Sequence, residues 1–118
     1  MATINTFKHE DKVEQYATGQ IIFKEGESGD IMYVVQSGEV EILVKGMVLE
    51  TVGHGGIVGE MALVDRTARS ATAIAKSDCA LVPLDETKFK VQVHHTPFFA
   101  IQVMRILAER LRRMNELV

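Results

Sequence analysis

Apolar positions fall into short blocks over most of the chain and change spacing towards its end. Gln20-Ile21-Ile22-Phe23-Lys24 is a strand-like run closed by a turn-rich loop, Glu25-Gly26-Glu27-Ser28-Gly29-Asp30. Ile31-Met32-Tyr33-Val34-Val35 is nearly continuously apolar. Ser37-Gly38 joins it to Glu39-Val40-Glu41-Ile42-Leu43-Val44, in which Val40, Ile42 and Val44 share one face and Glu39 and Glu41 the other. Lys45-Gly46 then turns the chain into a strand over residues 47–52. Residues 70–75 and 80–84 give two more strands, separated by Lys76-Ser77-Asp78. Many short strands joined by glycine turns, with no long helix among them, predict an antiparallel sandwich or barrel and exclude a parallel α/β sheet.

The spacing becomes helical from Asp85, a predicted N-cap for a helix over 86–93 with Phe89 and Val93 on one face. Thr96-Pro97 breaks that element and starts a longer helix reaching about residue 117. There Met104, Leu107, Leu111, Met114 and Val118 form a two-heptad seam, and Phe99, Val103 and Ile106 widen the apolar stripe on an adjoining face. The pattern fits a helix docked on its own barrel and equally one shared with a second subunit. Arg105, Glu109, Arg110, Arg112 and Arg113 read as its solvated face. Residues 3–14 are polar apart from Ile4, Phe7 and Val13; Thr6 is placed to cap a short helix, with Phe7 anchoring it.

The whole reads as one domain, 1–118, with the barrel over about 13–84 and helices over about 85–118. A formal charge of −3 gives no footprint for nucleic acid, so none is expected to bind this domain. No apolar run approaches the roughly 20 residues that span a bilayer. The first residues lack the basic start and apolar run of a secretory signal, so no membrane association and a cytoplasmic setting are expected. The lone Cys79 lies among Ala80, Leu81 and Val82 and reads as a buried structural thiol. His9, His94 and His95 lack metal-ligand spacing, so neither a metal nor a cofactor is expected, and His54, beside the glycines, reads as an exposed turn residue in preference to a ligand contact.

The chemistry concentrates in residues 53–72, which begin Gly53-His54-Gly55-Gly56 and close with Arg69-Ser70-Ala71-Thr72. Glycines let a backbone approach a ligand closely, and bare amides at the start of a short helix suit an anion. An arginine forks onto phosphate, and a carboxylate such as Glu60 accepts hydrogen bonds from sugar hydroxyls. Together these parts describe a sugar-phosphate pocket. The bland alternative is a structural ion pair between Glu60 and Arg69 on a barrel rim. Arg66 reads as exposed loop. Asp65 and Glu60 lack a nearby nucleophile or oxyanion donor, so catalysis is not expected.

Val58-Gly59-Glu60-Met61-Ala62-Leu63, followed by Arg69-Ser70-Ala71-Thr72, resembles the phosphate-binding cassette of cyclic nucleotide-binding domains. That family includes the bacterial catabolite activator protein, the regulatory subunits of cyclic AMP-dependent kinase and cyclic nucleotide-gated channels. The flanking stretches Ile22 to Glu27, Val34 to Val40, Ser77 to Leu81 and Leu107 to Asn115 are similar to its strands and C-terminal helix. The resemblance implies an antiparallel β-roll (a double-stranded β-helix or jelly-roll barrel) with a short cassette helix and C-terminal helices. It implies that Glu60 accepts the ribose 2′-hydroxyl and that Arg69 pairs with the cyclic phosphate. Gly59 and Ala62 would offer backbone amides, and Ser70 a hydroxyl, to the sugar-phosphate. Val58 stands where an aromatic residue is frequent, Ala68 where proline commonly precedes the arginine, and Gly55-Gly56 where a turn with an aspartate is usual.

The function implied is a non-catalytic sensor of a cyclic mononucleotide, cyclic AMP ahead of cyclic GMP, that relays binding to its C-terminal helix. Leu111 or Met114 would serve as a lid over the base. Its partners would be the nucleotide, a second copy through the helix seam, and an output domain or protein in trans. The alternatives are a ligand-free relative acting as a dimerisation or docking module, and a metal-dependent barrel enzyme.

Overall fold

The computed structural model describes residues 2–116. Among them eight strands build two four-stranded antiparallel sheets. The first runs β1 (Glu14–Tyr16), β8 (Cys79–Leu84), β3 (Met32–Ser37), β6 (Ile57–Val58). The second runs β2 (Ile21–Phe23), β7 (Thr72–Ala75), β4 (Val40–Val44), β5 (Met47–Val52). A short helix, α1 (Glu60–Val64), lies between β6 and β7, and α2 (Glu86–His95) and α3 (Phe98–Glu116) follow the last strand. This is the expected antiparallel β-roll with a short cassette helix and C-terminal helices.

Two cores share the first sheet. Tyr33 and Val35 of β3 and Cys79 and Leu81 of β8 face inward, meeting Phe23, Val40, Val52, Ala73 and Ala75 of the second sheet. Met32, Val34, Val82 and Leu84 face outward, meeting Ile4, Phe7, Phe99, Val103 and Ile106. Burial on both faces explains why residues 31–35 show no polar alternation. Burial also raises the Cys79 thiol above its ordinary value, with the Asp78 carboxylate adding to the effect. The residue is the structural thiol expected.

The helical layer is pinned by Phe99, which is fully buried. Its ring meets Phe7 edge-on at 5.8 Å and Phe89 at 5.4 Å. Asp85 caps α2 by accepting from the Lys88 amide at 2.8 Å, and the helix runs two residues past the expected 93 before Thr96 closes it. Pro97 separates it from α3, whose expected last residue, 117, and the seam position Val118 lie outside the described residues.

The opening segment departs from expectation. Residues 6–9 form a turn, not a helix capped by Thr6. Ile4 and Phe7 must both reach the core, and the Gln36 side chain donates to the Phe7 and Glu10 carbonyls at 3.0 and 2.8 Å. Those bonds hold the chain open. Ile4 also donates its amide to the Gly55 carbonyl at 2.7 Å, laying the segment across the turn that precedes β6. A Cβ on Gly55 would stand 2.7 Å from Thr3 Cβ. Gly55 thus serves a turn packed against the chain's own opening segment.

Phe99→Ala should lower stability by about 3–5 kcal/mol, since it empties the junction of α2, α3 and the opening segment. Chemical denaturation should show this as a lower midpoint, with secondary structure retained before the transition.

Candidate functional site

Gly59 begins α1 in the left-handed region at φ 76°, a conformation that favours glycine. Space requires glycine there as well. A Cβ would lie 2.6 Å from Arg69 Nη1 and 3.1 Å from the Phe23 ring. Across from it, a Cβ on Gly29 would lie 2.6 Å from Arg69 Nε. Two bare backbones thus form a slot around one guanidinium.

Arg69 is brought to that slot by backbone bonds from the loop before β3. Its amide donates to the Glu27 carbonyl at 2.7 Å, and its carbonyl accepts from Gly26 at 2.8 Å. Although only 7% exposed, it forms no ion pair among the described residues. Nη1 donates to the Gly59 carbonyl at 3.1 Å, and the guanidinium carbon stands 4.1 Å from the Phe23 ring centre. Phe23 in turn stacks on Tyr33 at 6.3 Å, inside the roll. Arg69 Nε is buried without a hydrogen-bond partner. A cation–π contact and one carbonyl answer a desolvated charge only in part.

Glu60, also 7% exposed, is paired through one oxygen, and by a residue expected to be solvated. Arg110 reaches back from α3 and pairs through Nη1 with Glu60 Oε1, and Nη2 donates to the Ile57 carbonyl. Its Nε lies 3.1 Å from Glu50 Oε2 on β5. The Arg110 side chain is 18% exposed. Glu109, placed on the same solvated face from sequence, accepts from the Ala2 amide at 2.8 Å. The assignment of these two residues to solvent is thus corrected. Val103, Ile106 and Arg110 lie three and four residues apart, so the arginine continues the buried face of α3. That phase was the available signal. The Glu60–Arg69 ion pair does not exist in this arrangement.

Among the remaining expected positions, Ala62 is buried on α1 and lines a cleft of about 360 Å³ with Gly29, Asp30, Leu63, Arg66 and Glu86. Ser70 is exposed beside Arg69, and its hydroxyl is bonded to no described residue. Arg66 is exposed as expected, yet it bonds both Glu86 oxygens at 3.0 Å, joining the end of α1 to the start of α2. Lys90 and Arg66 hold the Glu86 carboxyl below its ordinary value. His54 turns away and bonds the Gln36 carbonyl at 2.8 Å. Among the described residues no group of three His, Cys, Asp or Glu side chains could hold a metal ion, and no helix is long and apolar enough to cross a membrane.

The antiparallel β-roll thus sets a buried, carboxylate-free arginine beside a helix-borne glutamate. The model of the cyclic nucleotide-binding domain matches residues 13–95, and the chain belongs to that family. It is 33% identical over 105 residues to the Cyclic AMP receptor protein of Thermus thermophilus, covering 85% of this chain and 49% of that protein. It is 38% identical over 72 residues to the cAMP-dependent protein kinase regulatory subunit of Eremothecium gossypii, covering 61% of this chain and 16% of that one. The chain thus spans half or less of these curated relatives. A solved structure of PKAR CBD2 with bound Sp-2Cl-cAMPS superimposes with a TM-score of 0.73 at 33% identity, covering 90% of this chain and 70% of that one.

Arg110→Ala should cost about 2 kcal/mol, less than a fully buried pair because some solvent reaches the guanidinium. Arg112→Ala, on the exposed side of the same helix, should stay within about 0.5 kcal/mol of wild type. Urea unfolding of the two variants checks the contrast.

Proposed function

We propose that this domain is a non-catalytic sensor of a cyclic mononucleotide. The observation that carries the reading is Arg69, buried with no carboxylate partner among the described residues and with an unbonded Nε. A cyclic monophosphate supplies the missing negative charge, and a phosphate takes an arginine fork well. Arg69 binds the phosphate, the Gly59 and Ala62 amides and the Ser70 hydroxyl surround it, and Glu60 accepts the ribose 2′-hydroxyl. Cyclic AMP is favoured over cyclic GMP because both curated relatives described above carry cyclic AMP in their names.

The relay follows from the sharing of Glu60. A ribose hydroxyl and Arg110 both address one carboxylate, so ligand binding and the position of α3 are linked wherever the ligand prefers one helix position. The seam of α3 remains open to a second copy or an output protein, with Leu111 61% and Met114 62% exposed. That exposure also supports the second reading, in which the seam is the whole function and no nucleotide binds.

Calorimetric titration with cyclic AMP and then cyclic GMP separates the two. The sensor should bind cyclic AMP saturably at micromolar concentration or below, and Arg69→Ala should lose about 100-fold or more. A folded sample that takes up neither nucleotide leaves the docking module standing.

A further inference from the structure

Glu50 sits on β5, half-buried, and reaches α3 with both oxygens. Oε1 accepts from Arg113 Nη2 at 2.9 Å and from Arg110 Nε at 3.4 Å, and Oε2 lies 3.1 Å from the same Arg110 Nε, so the carboxylate straddles that nitrogen. All three Arg110 side-chain nitrogens are thereby committed to different acceptors: Nε to Glu50, Nη1 to Glu60 and Nη2 to the Ile57 carbonyl. A guanidinium held in this way meets Glu60 through one nitrogen and one oxygen. Glu60 Oε2 accepts no hydrogen bond from a described side chain.

An unconstrained arginine–carboxylate pair tends towards the bidentate fork, with two parallel N–H···O bonds. In that geometry Arg110 would take both Glu60 oxygens, and a sugar hydroxyl would have to displace a charge-assisted bond. The Glu50 carboxylate at Nε and the Ile57 carbonyl at Nη2 together oppose this rotation. Glu50 also divides the charge of Arg110 between two carboxylates, while Arg113 balances the second negative charge of the cluster.

We propose that Glu50 is a positioning residue for ribose recognition: by holding Arg110 Nε it restricts Arg110 to one oxygen of Glu60 and keeps the other free for the 2′-hydroxyl. The inference rests on the reading of Glu60 as the ribose acceptor. Glu50 touches no ligand in this scheme and acts only through Arg110. The Ile57 carbonyl holds Nη2 by one neutral bond, and the charge of Glu50 at Nε reinforces that orientation.

The test compares cyclic AMP with 2′-deoxy cyclic AMP on wild type, Glu50→Ala, Glu50→Gln and Arg113→Gln, with a thermal melt to establish folding. Wild type should prefer the ribose form by about tenfold or more, the worth of a hydrogen bond to a charged group. Glu50→Ala should weaken cyclic AMP by about tenfold and leave the 2′-deoxy ligand within about twofold, erasing the preference. Glu50→Gln, which keeps an acceptor without the charge, should fall between. Arg113→Gln leaves Glu50 wholly to Arg110 and should keep the preference at the wild-type value or above. Should Glu50→Ala fail to fold, the other two variants carry the comparison. Equal weakening of both ligands in the Glu50 variants, an undiminished preference in them, or a lost preference in Arg113→Gln would each overturn the role of Glu50. Wild type that binds both ligands equally overturns the ribose role of Glu60 along with it. Wild type that binds neither overturns the sensor itself.

Discussion

Removing a guanidinium from water is costly unless its charge and donors are answered, and the interior of this roll is arranged around one that is not fully answered. Arg69 has a ring beneath it, one carbonyl within reach and an idle Nε. The glycines at 29 and 59 leave it room, and the loop ending at Glu27 fixes its backbone. An alternative without the anion would be a neutral side chain filling the same slot, which costs nothing to desolvate. Retaining the charge is intelligible if an anion completes it. The aromatic layer beneath is Phe23 stacked on Tyr33, and burial there, with Glu14 adding to it, raises the Tyr33 hydroxyl above its ordinary value.

The second arginine differs in kind. Arg110 is partnered at every nitrogen, by acceptors on β5, β6 and α1. Together with Arg113 it balances Glu50 and Glu60, so the cluster is neutral while the Arg69 slot is positive. Phosphate binding answers the slot without disturbing that balance. On the proposed reading, the ribose enters the balanced cluster at Glu60 and must share it. The two halves of one ligand thus meet two electrostatic situations, one that lacks a charge and one whose charges are already assigned.

Much of this was legible in the sequence, for physical reasons that differ by element. Strands β3 and β8 declared themselves because burial on both faces leaves continuous apolar runs. β1 escaped because Glu14, Gln15 and Tyr16 form an edge strand with little burial, held by backbone pairing to Leu81, Ala80 and Cys79. β6 is two residues hidden behind the glycines, whose turn packs against the opening segment. Glu60 and Arg69 stood out through residue type and spacing. Arg110 did not, since a charged residue on an amphipathic helix is usually solvated. Only its phase with Val103 and Ile106 separates it from Arg105 and Arg112, and Arg113, three residues on, shares that phase and meets Glu50. Gly29 carried no signal either, because the close approach it permits is made by a residue far away in sequence.

The same phase argument divides α3 along its length. Its first half is held by the burial of Phe99, Val103 and Ile106, which is non-directional and indifferent to what occupies the cassette. Its second half is held by Arg110, Arg113 and Glu109, through bonds that depend on direction and on partner charge. On the proposed reading, a group bound at Glu60 would therefore act on the second half and leave the first in place. The exposed seam residues Leu111 and Met114 belong to that responsive half, while Met104 belongs with the fixed one. A partner seated across the whole seam would meet one stretch whose position is set by apolar packing and one whose position is set by a carboxylate shared with the ligand. On the proposed reading, that division would let a short cassette helix influence a long one without breaking the core between them.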